Sequence, residues 1–488
     1  MQTRRRRSGI VAVTFLAFVA TALLATPAQA QLRKWLGMDP GIDKTWTGDF
    51  DGMVKRRQIR ILVVHSKTFY FIDGGAQRGF SYDAGRAFED EVNKKLGMRL
   101  LRVEAVFIPV SAGELLPALL KGRGDIAIAN LTVTPERQQF VDFSTPLWTG
   151  VDEIVVTGPA SPPIASVDDL SGQQIFVRLS SSYFQSLWHV NERFGKEGLP
   201  PLKVKPAPEQ LEDEDILEML NAGLIPLAIV DSHKAAFWAQ VLPDIRLHPE
   251  AAIRTGGEIA WAFRKNSPQL AAVVNDFAEK HGKGSAFGNA KFKEYLRNTQ
   301  YVKDASSPEE YRKLLRTIQI FQKYAKEYDF DWLMLAAQGY QESRLDQGVK
   351  SRVGALGVMQ VMPETGKELE VGDVREIEPN IHAGAKYLRT MMERYFAGAQ
   401  LDGLNRQLFA FASYNAGPAR IAKLRKEAEA QGLDPNVWFN NVEIVASKRI
   451  GQETVRYVGN IFKYYVAYKL VVDAQNEREQ AMQGVGNN

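Results

Sequence analysis

The sequence predicts a multidomain protein in which a two-lobed α/β domain is followed by an all-α domain. At 488 residues the chain has room for about three domains of roughly 150 residues each. From Arg57 to about residue 300, short apolar runs alternate with segments of helical periodicity, which is typical of strands joined by helices. From Tyr311 to Tyr468, strand-like runs nearly vanish and helical patterns follow one another.

The first thirty residues have the pattern of a signal peptide. Arg4 to Arg7 are basic, Ile10 to Leu24 are apolar, and Ala28-Gln29-Ala30 has the small-residue pattern of a cleavage site. The apolar run is shorter than the ~20 residues that a membrane-spanning helix needs, and no later stretch is apolar over ~18 residues. We therefore expect residues 1–30 to be removed on export.

Charge and cysteine content exclude several classes of function. Residues 1–30 contain four of the 61 basic residues and no acidic residue, so 57 basic and 57 acidic residues remain. This balance argues against a nucleic-acid partner. The chain has no cysteine, which excludes disulfides, a thiolate nucleophile and a lipid on cysteine. The six histidines are scattered and no nucleotide-binding glycine string precedes a helix, so we predict no metal and no cofactor.

The α/β domain is predicted to span residues 57–300, after a linker over residues 31–56. The predicted strands are Ile59–Val64, Leu100–Ile108, Asp125–Ala129, Gln174–Arg178, Leu227–Val230 and Glu258–Arg264. Helical periods cover Ser81–Leu96 and Gly113–Lys121. The alternation predicts a mostly parallel sheet. Crossings near residues 153–157 and 258–264 would divide the domain into two lobes with a cleft between them.

Residues 122–148, GRGDIAIANLTVTPERQQFVDFSTPLW, resemble the periplasmic solute-binding proteins of the polar amino-acid type. The resemblance covers about residues 57–300 and implies a ligand site in the cleft. The family's Thr-x-Thr-x-x-Arg segment binds the ligand, and its matching residues here are Thr132 and Arg137. A guanidinium presents a planar fork of donors that fits a carboxylate, so the resemblance implies that Arg137 binds the ligand's α-carboxylate.

The resemblance also implies ligand contacts from other parts of the cleft. Asp231, which follows a strand of the second lobe, is expected to bind the ligand's ammonium group. Ser181 follows strand Gln174–Arg178 and is expected to open a helix whose free N–H groups bind an anion. An aromatic wall is expected from the turn Lys67–Phe71, with Tyr70 or Phe71 as the candidate.

Two of these residues have structural alternatives. Arg137 could form a surface ion pair with Glu136 or Asp142 instead of binding a ligand. Asp231 could be the N-cap of the helix that follows it. Neither alternative is resolved by the sequence.

The all-α domain is predicted to span residues 301–472. Its boundary is indicated by the polar residues 297–310, with Pro308 beside an acidic pair. Predicted helices cover residues 309–328, 331–342, 363–369, 380–397, 404–414, 417–429 and 452–472. The remaining residues 473–488 are predicted to form a polar, frayed tail.

Glu342 is the candidate proton donor of this domain. It lies at the predicted end of a helix whose preceding run, Phe330–Tyr340, is apolar on most faces. Burial against that run disfavours the charged carboxylate, so we expect the pKa of Glu342 to rise toward neutral pH. An acid with such a pKa can donate a proton and later take one back.

The segment that begins at Glu342 resembles the catalytic signature of soluble-type lytic transglycosylases, which share the goose-type lysozyme fold. The matching residues are Glu342-Ser343, Ser351, Gly354-Ala355, Gly357-Val358-Met359-Gln360 and Met362-Pro363. Two further motifs follow in family order, Ser413-Tyr414-Asn415-Ala416-Gly417 and Glu453-Thr454-Val455-Arg456-Tyr457-Val458. Val358 and Ser413 depart from the usual leucine and alanine. With a solute-binding-protein-like half before it, this layout resembles the membrane-bound lytic transglycosylase F family.

The resemblance implies a murein lytic transglycosylase that cleaves the β-1,4 bond between MurNAc and GlcNAc without water and leaves 1,6-anhydro-MurNAc ends. Glu342 would be the sole catalytic residue, because the substrate's N-acetyl group can replace the second carboxylate of ordinary glycosidases. Substrate-binding roles are implied for Ser343, Ser351, Met359, Gln360, Met362, Tyr414, Asn415, Glu453 and Tyr457. The implied partners are peptidoglycan strands, a small amino-acid or muropeptide ligand that regulates from the cleft, and the outer-membrane surface. The implied location is the periplasm.

Two other functions remain open at this point. Asp346 is the nearest additional acid, and a hydrolytic muramidase would follow if it faced Glu342. Alternatively, the helical half could be an inactive scaffold attached to a periplasmic amino-acid or peptide sensor.

Three motif residues also have structural alternatives. Met359 and Met362 could be ordinary core residues instead of packing on a sugar. Glu453 could be a solvated carboxylate paired with Arg456 or Arg449 on a helix surface.

Overall fold

The computed structural model describes residues 45–73, 75–99, 101–304 and 308–486. The expected signal peptide, residues 1–30, and residues 31–44 of the predicted linker lie outside this range. The described chain forms a two-lobed α/β domain followed by an all-α domain, as the sequence predicts.

The α/β domain is built from short strands and helices that alternate along the chain. Its strands are β1 (Gln58–Val64), β2 (Phe71–Asp73), β3 (Ala76–Arg78), β4 (Glu104–Val110), β5 (Ile126–Ala127), β6 (Val141–Phe143), β7 (Trp148–Thr157), β8 (Gln174–Val177), β9 (Lys203–Pro206), β10 (Leu227–Asp231), β11 (Arg246–Ile259) and β12 (Ala262–Arg264). Its helices are α1 (Phe50–Arg56), α2 (Phe80–Lys95), α3 (Leu115–Leu120), α4 (Pro135–Gln138), α5 (Ser182–Glu197), α6 (Asp213–Asn221), α7 (Ser232–Trp238), α8 (Pro268–His281), α9 (Ala286–Leu296) and α10 (Gln300–Asp304).

Two separate sheets form the two lobes. The first has the order β4-β1-β5-β12-β6, in which β1 is parallel to β4 and β5, whereas β12 is antiparallel to β5 and β6. The second has the antiparallel order β10-β7-β11, beside a separate parallel pair of β8 and β9. The prediction of a mostly parallel sheet is wrong for the second lobe. The long strands β7 and β11 carry the chain into that lobe and back, and they pair antiparallel.

The predicted linker is folded from residue 45 onward. Asp49 caps α1, because its Oδ1 accepts a hydrogen bond from Phe50 N at 2.8 Å. The same oxygen accepts from Leu270 N of α8 at 2.9 Å. Met53 of α1 is fully buried in the first lobe. The predicted linker therefore contains a helix cap and a helix, and the α/β domain begins before residue 57.

The all-α domain contains the predicted helices and two features that the sequence did not indicate. Its helices are α11 (Pro308–Tyr328), α12 (Trp332–Ser343), α13 (Pro363–Glu368), α14 (Ile377–Phe396), α15 (Gly403–Ala416), α16 (Pro418–Ala430), α17 (Glu443–Arg449) and α18 (Gln452–Gly486). Helix α17 was not predicted, and α18 continues through the segment predicted as a frayed tail. Within the described residues, no helix combines the length and apolarity needed to cross a bilayer.

Helix α18 joins the two domains. It packs against α12 and α15 of its own domain and against β4, the edge strand of the first lobe. Lys463 Nζ on α18 lies 2.5 Å from Glu104 Oε2 on β4. Further along the helix, Tyr468 donates a hydrogen bond to the carbonyl of Gly75, between β2 and β3. The last helix of the chain therefore fixes the helical domain against the first lobe.

A buried carboxylate holds the first lobe together. Asp125 is fully buried, and its Oδ1 lies 2.8 Å from Arg60 Nη2 and 3.5 Å from Arg264 Nη2, while Arg56 bonds to its Oδ2. Burial alone would raise the pKa of Asp125, but the hydrogen bonds and charges of Arg60 and Arg56 hold it below its usual range.

We expect Asp125→Ala to destabilise the α/β domain by about 3–5 kcal/mol, because it leaves buried arginine charges facing one another. Differential scanning calorimetry of the full chain measures the effect as a lowered unfolding temperature. The control is Asp142→Ala, which removes an exposed carboxylate of β6 and should cost less than about 0.5 kcal/mol. Equal shifts in the two variants would contradict the prediction.

Candidate active site and ligand cleft

Glu342 lies in the last turn of α12, where the helix leaves the core. Asp331 begins this helix, with its Oδ1 accepting from Leu333 N at 2.8 Å. Residues 333–340 are all buried, so α12 fills the core of its domain up to the turn that carries Glu342. Arg344 then adopts a left-handed conformation with φ of 61°, which ends the helix. The half-buried Glu342 side chain emerges at this break.

A chain of two hydrogen bonds fixes the Glu342 carboxyl. The hydroxyl of Tyr457 on α18 donates to Glu342 Oε1 at 2.5 Å. The same hydroxyl accepts from Nε2 of Gln338 at 3.2 Å. Gln338 is fully buried, one turn before Glu342 on α12. Because an amide N–H can only donate, the Tyr457 proton is directed at Glu342.

Burial raises the pKa of Glu342 to about 7, and the hydrogen bond from Tyr457 partly opposes this rise. Among the described residues, no charged side chain contributes to the shift. Asp346, the nearest additional acid in sequence, is exposed, and its Oδ1 accepts from Gly348 N at 2.8 Å. Glu342 is therefore a solitary acid whose pKa suits both donating and accepting a proton at neutral pH.

Two side-chain amides hold the loop that follows α12, residues 344–362. Asn380 of α14 accepts from Met359 N at 2.8 Å and donates to two backbone carbonyls. Gln347 accepts from a loop N–H at 3.1 Å. A Cβ atom on Gly357, whose φ is 72°, would lie 2.5 Å from the Gln347 amide. Glycine is required there both for its backbone conformation and for this close approach.

Four of the predicted substrate-binding residues build this loop. Ser343 and Gln360 each donate to a loop carbonyl at 2.9 Å, and Ser351 Oγ accepts from a loop N–H at 2.9 Å. Met359 is fully buried in the core, as its structural alternative expected. The structure gives these four residues a scaffold role, and the substrate contacts expected of them stay a prediction.

Tyr414 and Asn415 of the second motif lie at the end of α15. The Tyr414 hydroxyl donates to the Met359 carbonyl at 2.7 Å, so its proton is directed at the loop backbone and not at Glu342. Burial raises the pKa of Tyr414 well above its usual value, and the Glu342 charge adds to the rise. Asn415 Oδ1 accepts from the Thr454 hydroxyl at 2.6 Å, which leaves its amide nitrogen as the end suited to an acetamido group.

Met362 and Glu453 are the most accessible of the predicted residues. Met362 is half-buried just before α13, and Glu453 is exposed in the first turn of α18. Arg449, one of the two arginines considered as partners of Glu453, pairs instead with Glu427 at 2.5 Å. An exposed carboxylate is screened by water, so Glu453 is a weak candidate for stabilising charge on a substrate.

Three polar residues that organise the site were not predicted: Gln338, Gln347 and Asn380. A signal existed for Gln338, because a glutamine in an otherwise apolar helix, four residues before Glu342, shares its helix face. Gln347 and Asn380 had no comparable signal. Their partners are backbone groups of a loop without a regular period, which sequence patterns do not locate.

A cavity of about 70 Å³ lies between the two lobes of the α/β domain. Its lining includes Phe69, Asn130, Thr132 and Arg137 from the first lobe and Arg178, Ser181, Glu212, Asp213, Asp231 and Lys234 from the second. Ser181 is the N-cap of α5, with its Oγ accepting from Phe184 N at 3.2 Å. The lobes touch across the cavity, since Ser182 Oγ donates to Thr132 Oγ1 at 3.3 Å.

Arg137 is buried and bonds to backbone carbonyls. Its Nη1 donates to Thr132 O at 2.8 Å and its Nη2 to Ser180 O at 3.1 Å. Within the described chain it forms no ion pair with Glu136 or Asp142, the surface partners considered as an alternative. Burial lowers the pKa of Arg137 to about 10. A buried guanidinium with remaining donors suits a ligand carboxylate.

Asp231 is fully buried at the end of β10. Its Oδ2 accepts from Asn130 Nδ2 at 2.5 Å, and its Oδ1 has no hydrogen-bond partner among the described residues. The side chain makes no capping hydrogen bond to α7, in contrast to the helix-cap alternative. Burial raises the pKa of Asp231 to about 7. A buried oxygen without a partner suits a ligand ammonium group.

Tyr70 is not at the cavity wall, which corrects its prediction as the aromatic wall. Its ring is fully buried in the first lobe, 6.1 Å from the ring of Phe107, and its hydroxyl donates to Gln77 Oε1 at 2.9 Å. Phe69 lines the cavity instead. Phe71, the other candidate, does not line the cavity either, and Phe69 belongs to the turn at residues 67–69 just before Tyr70.

Two protein families match the two parts of this chain. Bacterial extracellular solute-binding proteins, family 3, match residues 59–286, and the Transglycosylase SLT domain matches residues 319–436. The first range contains both lobes and their cavity. The second contains Glu342 and the loop that follows α12, whereas Tyr457 lies beyond its end.

Full-length relatives share this arrangement. The chain is 28% identical over 454 residues to Membrane-bound lytic murein transglycosylase F of Desulfosudis oleivorans, which covers 88% of this chain and 95% of the relative. It is 29% identical over 419 residues to the protein of that name from Shewanella halifaxensis, with coverages of 82% and 84%. Among solved structures, an ancestral arginine-binding protein bound to arginine is 25% identical to this chain, with a TM-score of 0.40. The matched part covers 49% of this chain and 98% of that protein. In the order of its domains and over 82–88% of its length, the chain is similar to proteins named Membrane-bound lytic murein transglycosylase F.

Proposed function

We propose that this lytic murein transglycosylase cleaves the β-1,4 bond between MurNAc and GlcNAc of peptidoglycan and leaves a 1,6-anhydro-MurNAc end. The observation that carries the proposal is the solitary Glu342 carboxyl, whose pKa burial raises to about 7. The relatives that share both domains bear the name lytic murein transglycosylase. The 1,6-anhydro product and the role of the cleft go beyond what that name states.

The reaction has two steps that use Glu342 in opposite directions. In the first, protonated Glu342 gives its proton to the glycosidic oxygen, the bond to the MurNAc anomeric carbon breaks, and the GlcNAc side leaves with a new hydroxyl. The N-acetyl group of MurNAc stabilises the positive charge at the anomeric carbon. In the second, the C6 hydroxyl of the same sugar attacks that carbon, and the Glu342 carboxylate takes its proton. Glu342 is protonated again at the end, and no water is consumed.

The Tyr457 hydroxyl supports the intermediate stage of this cycle. Once Glu342 has lost its proton, Tyr457 donates a charge-assisted hydrogen bond to the carboxylate. This bond stabilises the ionised form, which burial alone would disfavour. Because Gln338 donates to the Tyr457 oxygen, the tyrosine proton keeps its direction in both states of Glu342.

A hydrolytic muramidase is the second candidate function. It needs another carboxylate, either to activate a water molecule or to form a covalent intermediate. Asp346 is exposed and bonded to a backbone N–H, which does not favour either role. An inactive helical half attached to a sensor is not favoured either, because such a scaffold has no need for a buried acid with a hydrogen-bonded tyrosine.

We further propose that an amino acid or a murein stem peptide binds in the cleft and alters cleavage. The buried Arg137 and the unpartnered Asp231 Oδ1 support the binding step. A contact path supports the coupling. Phe69 lines the cavity, the β2–β3 hairpin follows it, and Gly75 of that hairpin meets the ring of Tyr340, which is two residues before Glu342.

The proposed location is the periplasm, at the outer membrane. Two observations support this location: the expected signal peptide, and the word membrane-bound in the names of the relatives. Because the chain has no cysteine to carry a lipid, the proposed contact with the membrane would be made by the protein surface.

We expect mature wild-type protein to release anhydro-muropeptides from purified sacculi, detected by mass spectrometry. Glu342→Gln removes the transferable proton and should slow this release by at least about 100-fold. Asp346→Asn is the matched control and should retain activity. Products with reducing ends would instead support a muramidase, and sacculi left intact by the wild type would support the sensor alternative.

We expect Tyr457→Phe to move the alkaline limb of the activity profile to higher pH. Cleavage starts from protonated Glu342, so activity falls as pH rises through the pKa of about 7. Removing a hydrogen bond that favours the carboxylate raises that pKa further. Gln338→Leu should move the limb in the same direction by less, whereas Tyr414→Phe, which loses a bond to a backbone carbonyl, should leave it nearly in place. A shift to lower pH in Tyr457→Phe would contradict this role.

We expect a cleft ligand to change the rate of sacculus cleavage by about fivefold or more, the usual scale of coupling between sites. Rates are measured with and without murein stem peptide. Arg137→Ala should abolish the effect and keep the basal rate. Tyr468→Phe, which removes the hydrogen bond to Gly75 but keeps the ring, should weaken it. Equal rates with and without peptide in the wild type would dismiss the coupling.

A further inference from the structure

The second-lobe wall of the cleft carries charged residues beyond Asp231. Arg178 and Lys234 line the cavity together with the carboxylates of Glu212 and Asp213, and all four side chains are buried. Equal numbers of cations and anions give no preference by charge alone. The hydrogen bonds that these groups already make decide what a ligand could still bind.

The two carboxylates of this wall are already occupied by the protein. Asp213 Oδ1 lies 2.9 Å from Arg178 Nη2, and its Oδ2 accepts from Lys234 Nζ at 2.7 Å and from the Tyr183 hydroxyl at 2.9 Å. Glu212 Oε1 accepts from Arg178 Nη1 at 2.7 Å, and its carboxylate also accepts a helix-capping hydrogen bond at the start of α6. Arg178 and Lys234 already compensate both carboxylates, so neither offers an unpaired negative charge to a cationic group of a ligand.

Lys234, in contrast, has donors to spare. An ammonium group carries three N–H donors, and among the described residues Lys234 Nζ makes one hydrogen bond, to Asp213. Its distance of 4.0 Å from Asp231 Oδ2 exceeds a hydrogen bond, and the ring of Phe69 lies 5.3 Å away. Lys234 therefore presents unused donors to the cavity next to the Asp231 oxygen that has no partner.

We propose that the cleft selects an α-amino acid whose side chain ends in a hydrogen-bond acceptor, a carboxylate or a carboxamide, and that Lys234 binds this acceptor. This inference rests on the proposed function, in which Arg137 and Asp231 bind the α-carboxylate and the ammonium group. A lysine or arginine ligand would place a second cation beside Lys234 without a free carboxylate to compensate it, which is unfavourable at a buried site.

Isothermal titration calorimetry of the mature full chain tests the selection. The probes are L- and D-glutamate, L-glutamine, L-alanine, L-lysine and L-arginine. We expect at least one of the glutamate and glutamine probes to bind about tenfold or more tightly than alanine, because a hydrogen bond to a charged group adds that much. Lysine and arginine should bind more weakly than alanine.

Lys234→Met removes the charge and keeps the length of the side chain. We expect it to lower glutamate or glutamine affinity to that of alanine, with alanine affinity itself nearly unchanged. Lys234→Gln, which keeps a neutral donor, should retain part of the preference. Lys280→Met, at an exposed lysine of α8, is the matched control and should leave all affinities unchanged.

The outcomes separate this inference from the function on which it rests. Lysine or arginine binding as tightly as glutamate would overturn the selection while the cleft remained a ligand site. A preference for glutamate or glutamine that survived Lys234→Met would overturn the role of Lys234. If none of the six amino acids bound to folded wild-type protein, both the selection and the proposed amino-acid site would fail.

Discussion

The hydrogen bond between Tyr457 and Glu342 depends on the position of α18, and both domains determine that position. On one side α18 packs against α12, which carries Glu342, and on the other it packs against β4 of the first lobe. The Lys463–Glu104 pair ties it along the strand. Packing within the helical domain and the interface with the first lobe therefore both contribute to the position of Tyr457 beside Glu342.

Much of the helical site could be predicted from sequence, because three motifs in family order located Glu342, Tyr414 and Tyr457. The substrate contacts implied for Ser343 and Gln360 stay a prediction. Such short motifs mark residues that a site requires, whether these touch a substrate or hold a loop, and a sequence does not show where a side chain points. Here both residues bond to the loop backbone beside Glu342.

In the α/β domain, too, the sequence indicated which residues matter better than it indicated where their side chains point. Arg137 and Asp231 lie in the cavity wall where the resemblance implied, Arg137 on the short helix α4 and Asp231 at the end of strand β10. Tyr70 was misassigned by one position, because the turn at residues 67–69 has no regular period from which the direction of a side chain could be predicted. Asp49 caps α1 through the N–H of Phe50, and it also accepts a hydrogen bond from Leu270 N, more than 200 residues away. No local pattern indicates that second contact. The two-lobed architecture was therefore predictable from the sequence. The first residue of the α/β domain and the strand directions of the second lobe were not.

The edge strand β4 has one strand neighbour, β1, in the described sheet, and the helix that lies against it is the last one of the chain. A ribosome completes the first lobe long before it makes α18. During that interval the outer side of β4 is open to pairing with other chains, as exposed strand edges generally are. A holding chaperone would be useful at this stage of biogenesis, and recombinant fragments that end before residue 452 would keep the same exposed edge permanently.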